Sequence, residues 1–160
     1  MKRLLCAASA ACSLLLAVSA PAETLGSVDT AFQFLGPDHK VVVEVFDDPR
    51  VAGVSCYLSR AKTGGIKGAI GLAEDKAESS VACRQVGALS FSAPLPLQEE
   101  VFTERASLFF KHVRVVRMVD VKRNALVYLV YSDRLVDGSP KNSVTAVAVP
   151  ANQPVPTRRK

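Results

Sequence analysis

The sequence LFFKHVRVVRMVDVKRNALVYLVYS (residues 108–132) carries the clearest secondary-structure signal in the chain. It is rich in β-branched and aromatic residues, which favour strands, and the short turn Lys122–Asn124 divides it into two runs. The second run, Ala125–Ser132, is apolar on both faces, so we expect it to lie centrally in a sheet. The stretch therefore predicts two adjacent strands, one of them central.

Apolar residues alternate with polar ones elsewhere in the chain, and this period of two predicts further strands. These strands are Lys40–Phe46, Val54–Ser59, Ser80–Val86 and Ser143–Val149. Residues 101–107 favour a strand or a bulged approach to one, and Ile66–Leu72 is the best candidate for a short helix despite Gly68. No repeat of 20 to 50 residues occurs, which excludes solenoids and propellers. The predicted fold is mainly β, an antiparallel β-sandwich or partly open β-barrel with one short helix.

The first 22 residues have the pattern of a secretory signal peptide. Lys2 and Arg3 precede an apolar run, and Ala20-Pro21-Ala22 supplies the small residues of a cleavage site. The apolar run is shorter than the roughly 20 residues of a membrane span, so we expect no transmembrane segment in the mature protein. We predict cleavage after residue 22, a periplasmic location, and a single domain over residues 23–150.

The cysteine count fits an exported protein with one disulfide. Removal of the signal peptide leaves two of the four cysteines, Cys56 and Cys83, each in the middle of a predicted strand. Disulfides persist outside the cytosol. A pair of free or catalytic thiols is the alternative, and it fits poorly because the two cysteines lack C-x-x-C spacing. We expect one structural disulfide within the domain.

The formal net charge of +5 arises at the ends of the chain. Two cations lie in the signal peptide and three in the C-terminal RRK, whereas residues 23–157 contain equal numbers of cations and anions. The basic composition therefore does not indicate a nucleic-acid partner. Residues 151–160 are rich in proline and lack apolar periodicity, which predicts a disordered basic tail.

The segment SRAKTGGIKG (residues 59–68) has part of the chemistry of an anion site. Paired glycines permit backbone conformations whose amides converge on an anion, and nearby cations supply charge. The segment lacks the G-K-[ST] ending of a Walker A loop. Acidic residues between 74 and 78 offer the alternative of a solvated loop that pairs with itself. The candidate anion-binding residues are Arg60, Lys62, Gly64, Gly65 and Lys67.

Two turns are candidates for the rim of a pocket, because loops on a rigid scaffold often carry binding sites. FDDPR (residues 46–50) holds two aspartates, although aspartate in a turn usually accepts hydrogen bonds from local backbone amides. YSDRLVDGSPKNS (residues 131–143) resembles a polar hairpin loop. The candidate rim residues are Asp47, Asp48, Ser139, Lys141 and Asn142.

The sequence contains no motif for a nucleophile or a metal. G-x-S-x-G and H-E-x-x-H are missing, and the two histidines, His39 and His112, have no partner at metal-ligand spacing. We therefore predict no catalytic residue, no metal and no cofactor.

Three segments carry a family resemblance. They are EVFDDPRVAGVSCYLSRAKTGGIKGAIGLAEDKAESSVACRQVG (Glu44–Gly87), FFKHVRVVRMVDVKRNALVYLVYSDRL (Phe109–Leu135) and DGSPKNSVTAV (Asp137–Val147). In this order they resemble the CreA family of small bacterial secreted proteins, over roughly Thr24 to Pro150. The resemblance implies an envelope or periplasmic setting and a disulfide as a family feature. It implies no established reaction, cofactor or catalytic residue.

Two functions are compatible with these features. The first is a non-catalytic binding or accessory protein of the bacterial cell envelope, which recognises a small anionic ligand or an envelope protein. The second is a hydrolase or transferase that acts on an anionic envelope substrate, with Arg60, Lys62 or Lys67 holding charge and Asp47 or Asp48 acting as base. We favour the first, because no nucleophile beside a base is evident.

Overall fold

The computed structural model describes residues 21–65, 79–105, 112–133 and 141–158. These residues contain eight β-strands, namely Glu23–Ala31 (β1), His39–Asp47 (β2), Val51–Lys62 (β3), Ser79–Phe91 (β4), Gln98–Arg105 (β5), His112–Asp120 (β6), Ala125–Ser132 (β7) and Asn142–Ala148 (β8). The helix predicted at Ile66–Leu72 lies outside the described residues.

The strands form two antiparallel sheets of four, each in chain order. One sheet has the order β1-β2-β3-β4 and the other has the order β5-β6-β7-β8. β7 lies between β6 and β8, which confirms the central position predicted for it. The edge strands β4 and β8 lie against each other, and Ser80 Oγ is 3.5 Å from Ser143 Oγ. The predicted mainly β sandwich is confirmed.

Alternate residues of the strands build the core between the sheets. In β7, Leu126, Tyr128 and Val130 are fully buried. The rings of Phe46 in β2 and Phe102 in β5 stack with their centroids 4.4 Å apart, which joins one sheet to the other. Phe102 follows a register shift in β5, so the predicted strand with a bulge is confirmed there. β1 differs from the other strands, because each of its nine residues is exposed.

The predicted disulfide is confirmed. Cys56 in β3 and Cys83 in β4 are bonded and are register partners across the ladder. Both are buried in the core, at 0% and 1% exposure. The bond therefore fixes β3 against β4 from inside the sandwich.

The C-terminal segment packs against the body of the domain as far as residue 158, within the residues for which a disordered tail is predicted. Leu95 N donates to Pro156 O at 2.8 Å, and Arg158 N donates to Leu95 O at 2.9 Å. Val155 is buried, and its amide donates to Asn124 Oδ1 at 2.8 Å. Asn124 adopts a positive φ of 50° in the β6–β7 turn. Its side chain satisfies backbone groups of a segment that has no strand periodicity of its own.

Candidate functional site

A cavity of about 330 Å³ lies where β2, β3, β4 and the start of β8 meet. Val41 and Ala61 give it short apolar walls. The described residues that supply its polar walls are Ser59, Arg60, Ser79, Ser80, Lys141 and Asn142. The cavity therefore brings together one residue of the predicted anion loop and two residues of the predicted pocket rim.

The strand register explains why these residues meet. Antiparallel pairing places Arg60 of β3 opposite Ser79 of β4, and Ser59 opposite Ser80. The disulfide lies in the same two strands and holds them together. Asn142 begins β8, whose edge lies along β4. The cavity walls thus come from strands held in place by the ladder and by a covalent bond.

Arg60 is buried in a cluster of charges. It is 6% exposed, and its Nη2 donates to Glu44 and, at 2.8 Å, to Glu104. Lys62 Nζ lies 3.3 Å from the other oxygen of Glu44. Burial by itself lowers the pKa of the Arg60 guanidinium, but the hydrogen bonds and negative charges of Glu104 and Glu44 outweigh it and raise the pKa. The guanidinium is therefore permanently protonated and is held by two carboxylates inside the sandwich.

Two polar atoms at the cavity are unsatisfied. Arg60 Nε and Ser79 Oγ are buried and have no hydrogen-bond partner within the described part of the chain. Leaving such a group unpaired costs about 1–3 kcal/mol. The two residues are cross-strand partners, so their side chains lie on the same face of β3 and β4, the face that points into the sandwich.

The described residues that line the cavity include two cations, one of which is paired with two carboxylates behind the wall. Among the described lining residues, Arg60 and Lys141 are cations and none is a carboxylate. Serine and asparagine side chains add groups that both donate and accept hydrogen bonds. This arrangement favours an anionic or polar ligand.

The paired glycines of the predicted anion loop are engaged elsewhere. Gly64 N donates to His39 Nδ1 at 2.9 Å, and Gly65 N donates to Pro37 O at 2.6 Å. A Cβ at Gly64 would collide with the carbonyl of Pro37, which explains the glycine there. These two amides bind the first residue of β2 and the connection that precedes it. Lys67, the last residue of this predicted set, lies outside the described residues.

Asp48 belongs to a second buried cluster, away from the cavity lining. Arg117 Nη1 donates to both oxygens of Asp48, at 2.6 and 2.8 Å, and Nη2 donates to Glu99. Tyr128 Oη donates to Asp48 at 2.8 Å. Burial, then the charge of Asp48 and this hydrogen bond, raise the pKa of Tyr128. The cluster joins the β2–β3 turn to β6 and β7.

The remaining residues of the predicted rim lie in different places, and two of them line the cavity. Asp47 is exposed and accepts a hydrogen bond from Ser55 Oγ at 2.5 Å, and like Asp48 it does not line the cavity. Ser139 lies outside the described residues. Lys141 and Asn142 are the members of the predicted rim that the structure places beside Arg60.

Arg60 is predicted from the sequence as a cation of a loop, and neither Arg60 nor Arg117 is predicted to lie inside the sandwich, although a signal for their inward position exists. In β3 the inward series Val54, Cys56 and Leu58 continues to Arg60 with a period of two. In β6 the series Val113 and Val115 continues in the same way to Arg117. A charge on the apolar face of a strand must find a partner, because an unpaired buried charge is strongly unfavourable.

The amino-acid sequence matches the family model described as CreA protein over residues 25–152. The chain belongs to the CreA family. It is 55% identical over 140 residues to Protein CreA of Escherichia coli strain K12, an alignment that covers 85% of this chain and 89% of that protein. Protein CreA of Escherichia coli O157:H7 gives the same identity and coverage. No solved structure matches the chain.

The CreA match includes the whole described cavity, from Val41 to Asn142, and both cysteines of the disulfide. It ends within the C-terminal segment that packs on Leu95. No helix in the described part of this CreA protein is long and apolar enough to cross a membrane. Across residues 21–65, 79–105, 112–133 and 141–158, no three His, Cys, Asp or Glu side chains are grouped to hold a metal ion.

Proposed function

We propose that this CreA family protein is exported to the bacterial cell envelope and acts there as a non-catalytic binding or accessory protein for a small anionic ligand. The observation that carries the proposal is the cavity between β3, β4 and β8. Its described walls hold two cations and no carboxylate. A cavity of about 330 Å³ falls in the range of roughly 300–1,000 Å³ that is usual for small-molecule sites.

Two features of the chain support export, the pattern of its first 22 residues and its disulfide. Residues 1–22 have the charge and apolar pattern of a signal peptide, and Cys56 and Cys83 form a buried bond. Structural disulfides belong mainly to compartments outside the cytosol. The periplasm therefore suits both features.

Binding without turnover is supported by the state of the charged groups beside the cavity. Glu44 and Glu104 are both bound by Arg60, and Glu44 also lies against Lys62. Carboxylates held in ion pairs are poor candidates for a general base.

Export is tested by mass spectrometry of the native protein recovered from the periplasm of an expressing bacterium. The expected intact mass corresponds to a chain that begins at Glu23 and carries one disulfide. A chain that keeps Met1 and stays with the cytosolic fraction would contradict this part of the proposal.

Ligand binding is tested by thermal shift of the exported, oxidised protein against phosphates, nucleotides, sugar acids, neutral sugars and cell-wall fragments. A ligand at 100 times its Kd stabilises the folded state by about 2.7 kcal/mol, so modest affinities are visible. We expect a shift with anionic compounds that Lys141→Ala weakens.

The matched control is Lys122→Ala, which removes an exposed lysine in the β6–β7 turn. It should leave the anion-dependent shift unchanged, because it alters the net charge equally but lies outside the cavity. No shift with any anion, or equal loss in both variants, would overturn the proposed cavity.

A further inference from the structure

β1 forms an exposed edge of its sheet, and its features do not depend on any ligand of the cavity. We propose that β1 and the connection to β2 are the interface of a homodimer, in which the β1 strands of two copies pair antiparallel about a two-fold axis at Val28. The four-stranded sheets of the two copies then join edge to edge through β1.

β1 has an edge that is open to pairing. Within the described residues it pairs with β2 alone and ends the order β1-β2-β3-β4. Its sequence ETLGSVDTA holds no lysine and no proline, which are residues that protect edge strands from pairing. Two register shifts bound a regular stretch, residues 26–29. The backbone donors and acceptors along this stretch are therefore available to another strand.

The same segment carries much of the exposed apolar surface. Nine large apolar side chains are exposed in the described structure, and five of them lie between residues 25 and 35. These five are between 62% and 89% exposed, and they are Leu25, Val28, Phe32, Phe34 and Leu35. Together they expose roughly 600 Å², whereas each partner of a stable interface buries about 800 Å². The patch therefore approaches the area that a stable dimer needs, and pairing of the strands adds to it.

The apolar residues that follow β1 lie on a connection that is held in place. Gln33 N donates to Asp38 Oδ1 at 2.7 Å, which closes the connection on itself. Gly65 N donates to Pro37 O at 2.6 Å, which ties the connection to the segment after β3. Little conformational entropy remains to be lost when such a segment binds. The connection is therefore preorganised to cover a second copy.

The charges of the segment favour a second copy over an anionic surface. Residues 21–38 contain the carboxylates of Glu23, Asp29 and Asp38 and no lysine or arginine. Anionic lipids and nucleic acids attract clusters of cations, so this surface does not suit them. Asp29 is the register partner of Lys40 in β2, which places a cation beside this carboxylate and reduces repulsion between two copies.

The two-fold axis is restricted by the geometry of the ladder. Neighbouring pairs in an antiparallel ladder alternate between two kinds, so a two-fold axis must pass through a pair of identical residues. With Val28 at the axis, two valines face each other. Ser27 of one copy then lies opposite Asp29 of the other, and Leu25 lies opposite Ala31. The pairs from residue 25 to residue 31 therefore contain no two carboxylates opposite each other.

The other positions of the regular stretch are less suitable as the axis. An axis at Gly26 would oppose Glu23 of one copy to Asp29 of the other, and an axis at Asp29 would oppose that residue to itself. Like charges directly opposite each other are unfavourable. An axis at Ser27 would oppose Leu25 to Asp29, which places an apolar side chain against a charge. Val28 is therefore the position that suits self-pairing.

Sedimentation equilibrium of the exported, oxidised protein tests the homodimer between about 1 and 100 µM, which brackets a micromolar dissociation constant. We expect twice the mass of one chain at the higher concentrations. Val28→Lys should weaken the dimer about a hundredfold, because it opposes two like charges at the axis and removes the burial of two valines. The variant should fold normally, because Val28 is 69% exposed in the single chain.

The matched control is Val121→Lys. Val121 is 59% exposed and lies in the β6–β7 turn, so the variant makes the same chemical change away from β1. It should leave the dimer unchanged. A single-chain mass at every concentration would overturn the homodimer and leave the β1 edge for another protein. A dimer that Val28→Lys weakens no more than Val121→Lys would use another surface, and this result would also overturn the proposal.

Val28→Cys tests the register. Opposite residues of a ladder have Cβ atoms about 4.5–5.5 Å apart, close to the Cβ separation of about 3.5–4.5 Å in a disulfide. Mild oxidation at a concentration where the protein is dimeric should therefore link the two copies about tenfold faster than in Val121→Cys. Equal rates in the two variants would refute a two-fold axis at Val28.

Discussion

Arg117→Met is expected to destabilise the protein by about 3 kcal/mol. Arg117 is fully buried in β6, and its guanidinium joins Asp48 of the β2–β3 turn to Glu99 of β5. Methionine keeps a long apolar side chain in the core and removes the charge and all of its hydrogen bonds. The variant therefore isolates the electrostatic part of the cluster.

The size of this loss of stability depends on the hydrogen bonds and ion pairs that Asp48 and Glu99 keep in the variant. Removing one partner of a buried pair costs about 3–5 kcal/mol, because the other charge stays buried. Asp48 keeps three donors, namely Tyr128 Oη at 2.8 Å and the backbone amides of Arg50 at 2.8 Å and Val51 at 3.0 Å. Glu99 is partly exposed and keeps Arg50 Nε at 2.8 Å. These remaining contacts place the loss near the lower end of the range, which is a fall in Tm of roughly 10 °C for a domain of this size.

Urea unfolding of the oxidised protein at pH 7 measures this free energy. The comparison requires that the free energy of unfolding falls with urea at the same slope in the parent chain and in Arg117→Met. The control is Arg114→Met in the same strand. Arg114 also contacts two carboxylates, Glu100 and Asp133, but all three side chains are about one-third exposed, so we expect a loss of about 0.5 kcal/mol.

The double variant Arg117→Met/Asp48→Asn completes the cycle. Asparagine keeps an oxygen for the backbone amides but has no charge, so the double variant should lose less than the sum of the single losses. Loss of less than 1 kcal/mol in Arg117→Met, or simple additivity in the double variant, would refute the argument.

Three further changes probe other parts of the fold. Replacing both Cys56 and Cys83 with alanine should lower the free energy of unfolding by about 3–4 kcal/mol, measured in urea, because the bond closes a loop across a sequence separation of 27; an equal stability of the two forms would contradict a structural role. Burial raises the pKa of Tyr128, so above the unfolded pKa of about 10 the folded state keeps a proton that the unfolded state releases. The contribution of Tyr128 to the free energy of unfolding is therefore complete below that pH and is lost as the pH rises above it. Tyr128→Phe should therefore reduce the fall in Tm above pH 10, and an unchanged alkaline profile would argue against it. Asn124→Ala should release the C-terminal segment to limited proteolysis near Val155 while the body stays intact, and resistance equal to that of the parent chain would show that Asn124 is not its anchor.

Strand positions and the disulfide were predictable because a local rule governs each of them. Alternation places Leu126, Tyr128 and Val130 on one face whatever the partner strand is, and the same rule turns Cys56 and Cys83 inward. β1 was not predicted, because all nine of its residues are exposed and its sequence is therefore under no pressure to alternate. Periodicity reports burial, so a fully exposed strand carries no such signal.

The cavity was not predictable as a unit, because its walls come from parts of the chain that lie far apart in sequence. Arg60 was selected for its charge and Lys141 for its loop, and nothing in either segment indicates that they meet. The meeting depends on β4 lying along β8, which is a contact between the edges of two sheets and involves no shared ladder. The C-terminal segment is similar, because its place depends on the side chain of Asn124.

Arg60 and Arg117 show why a buried charge is insufficient evidence for a binding site. Each ends an inward-facing series in its strand, each binds two carboxylates, and each has an unsatisfied Nε in the described structure. Arg60 lines a cavity and faces a second unsatisfied donor on Ser79, whereas Arg117 does not line that cavity. Changes around Arg117 should alter stability and leave the anion-dependent thermal shift of the folded protein unchanged, whereas Lys141→Ala should weaken that shift with little effect on stability.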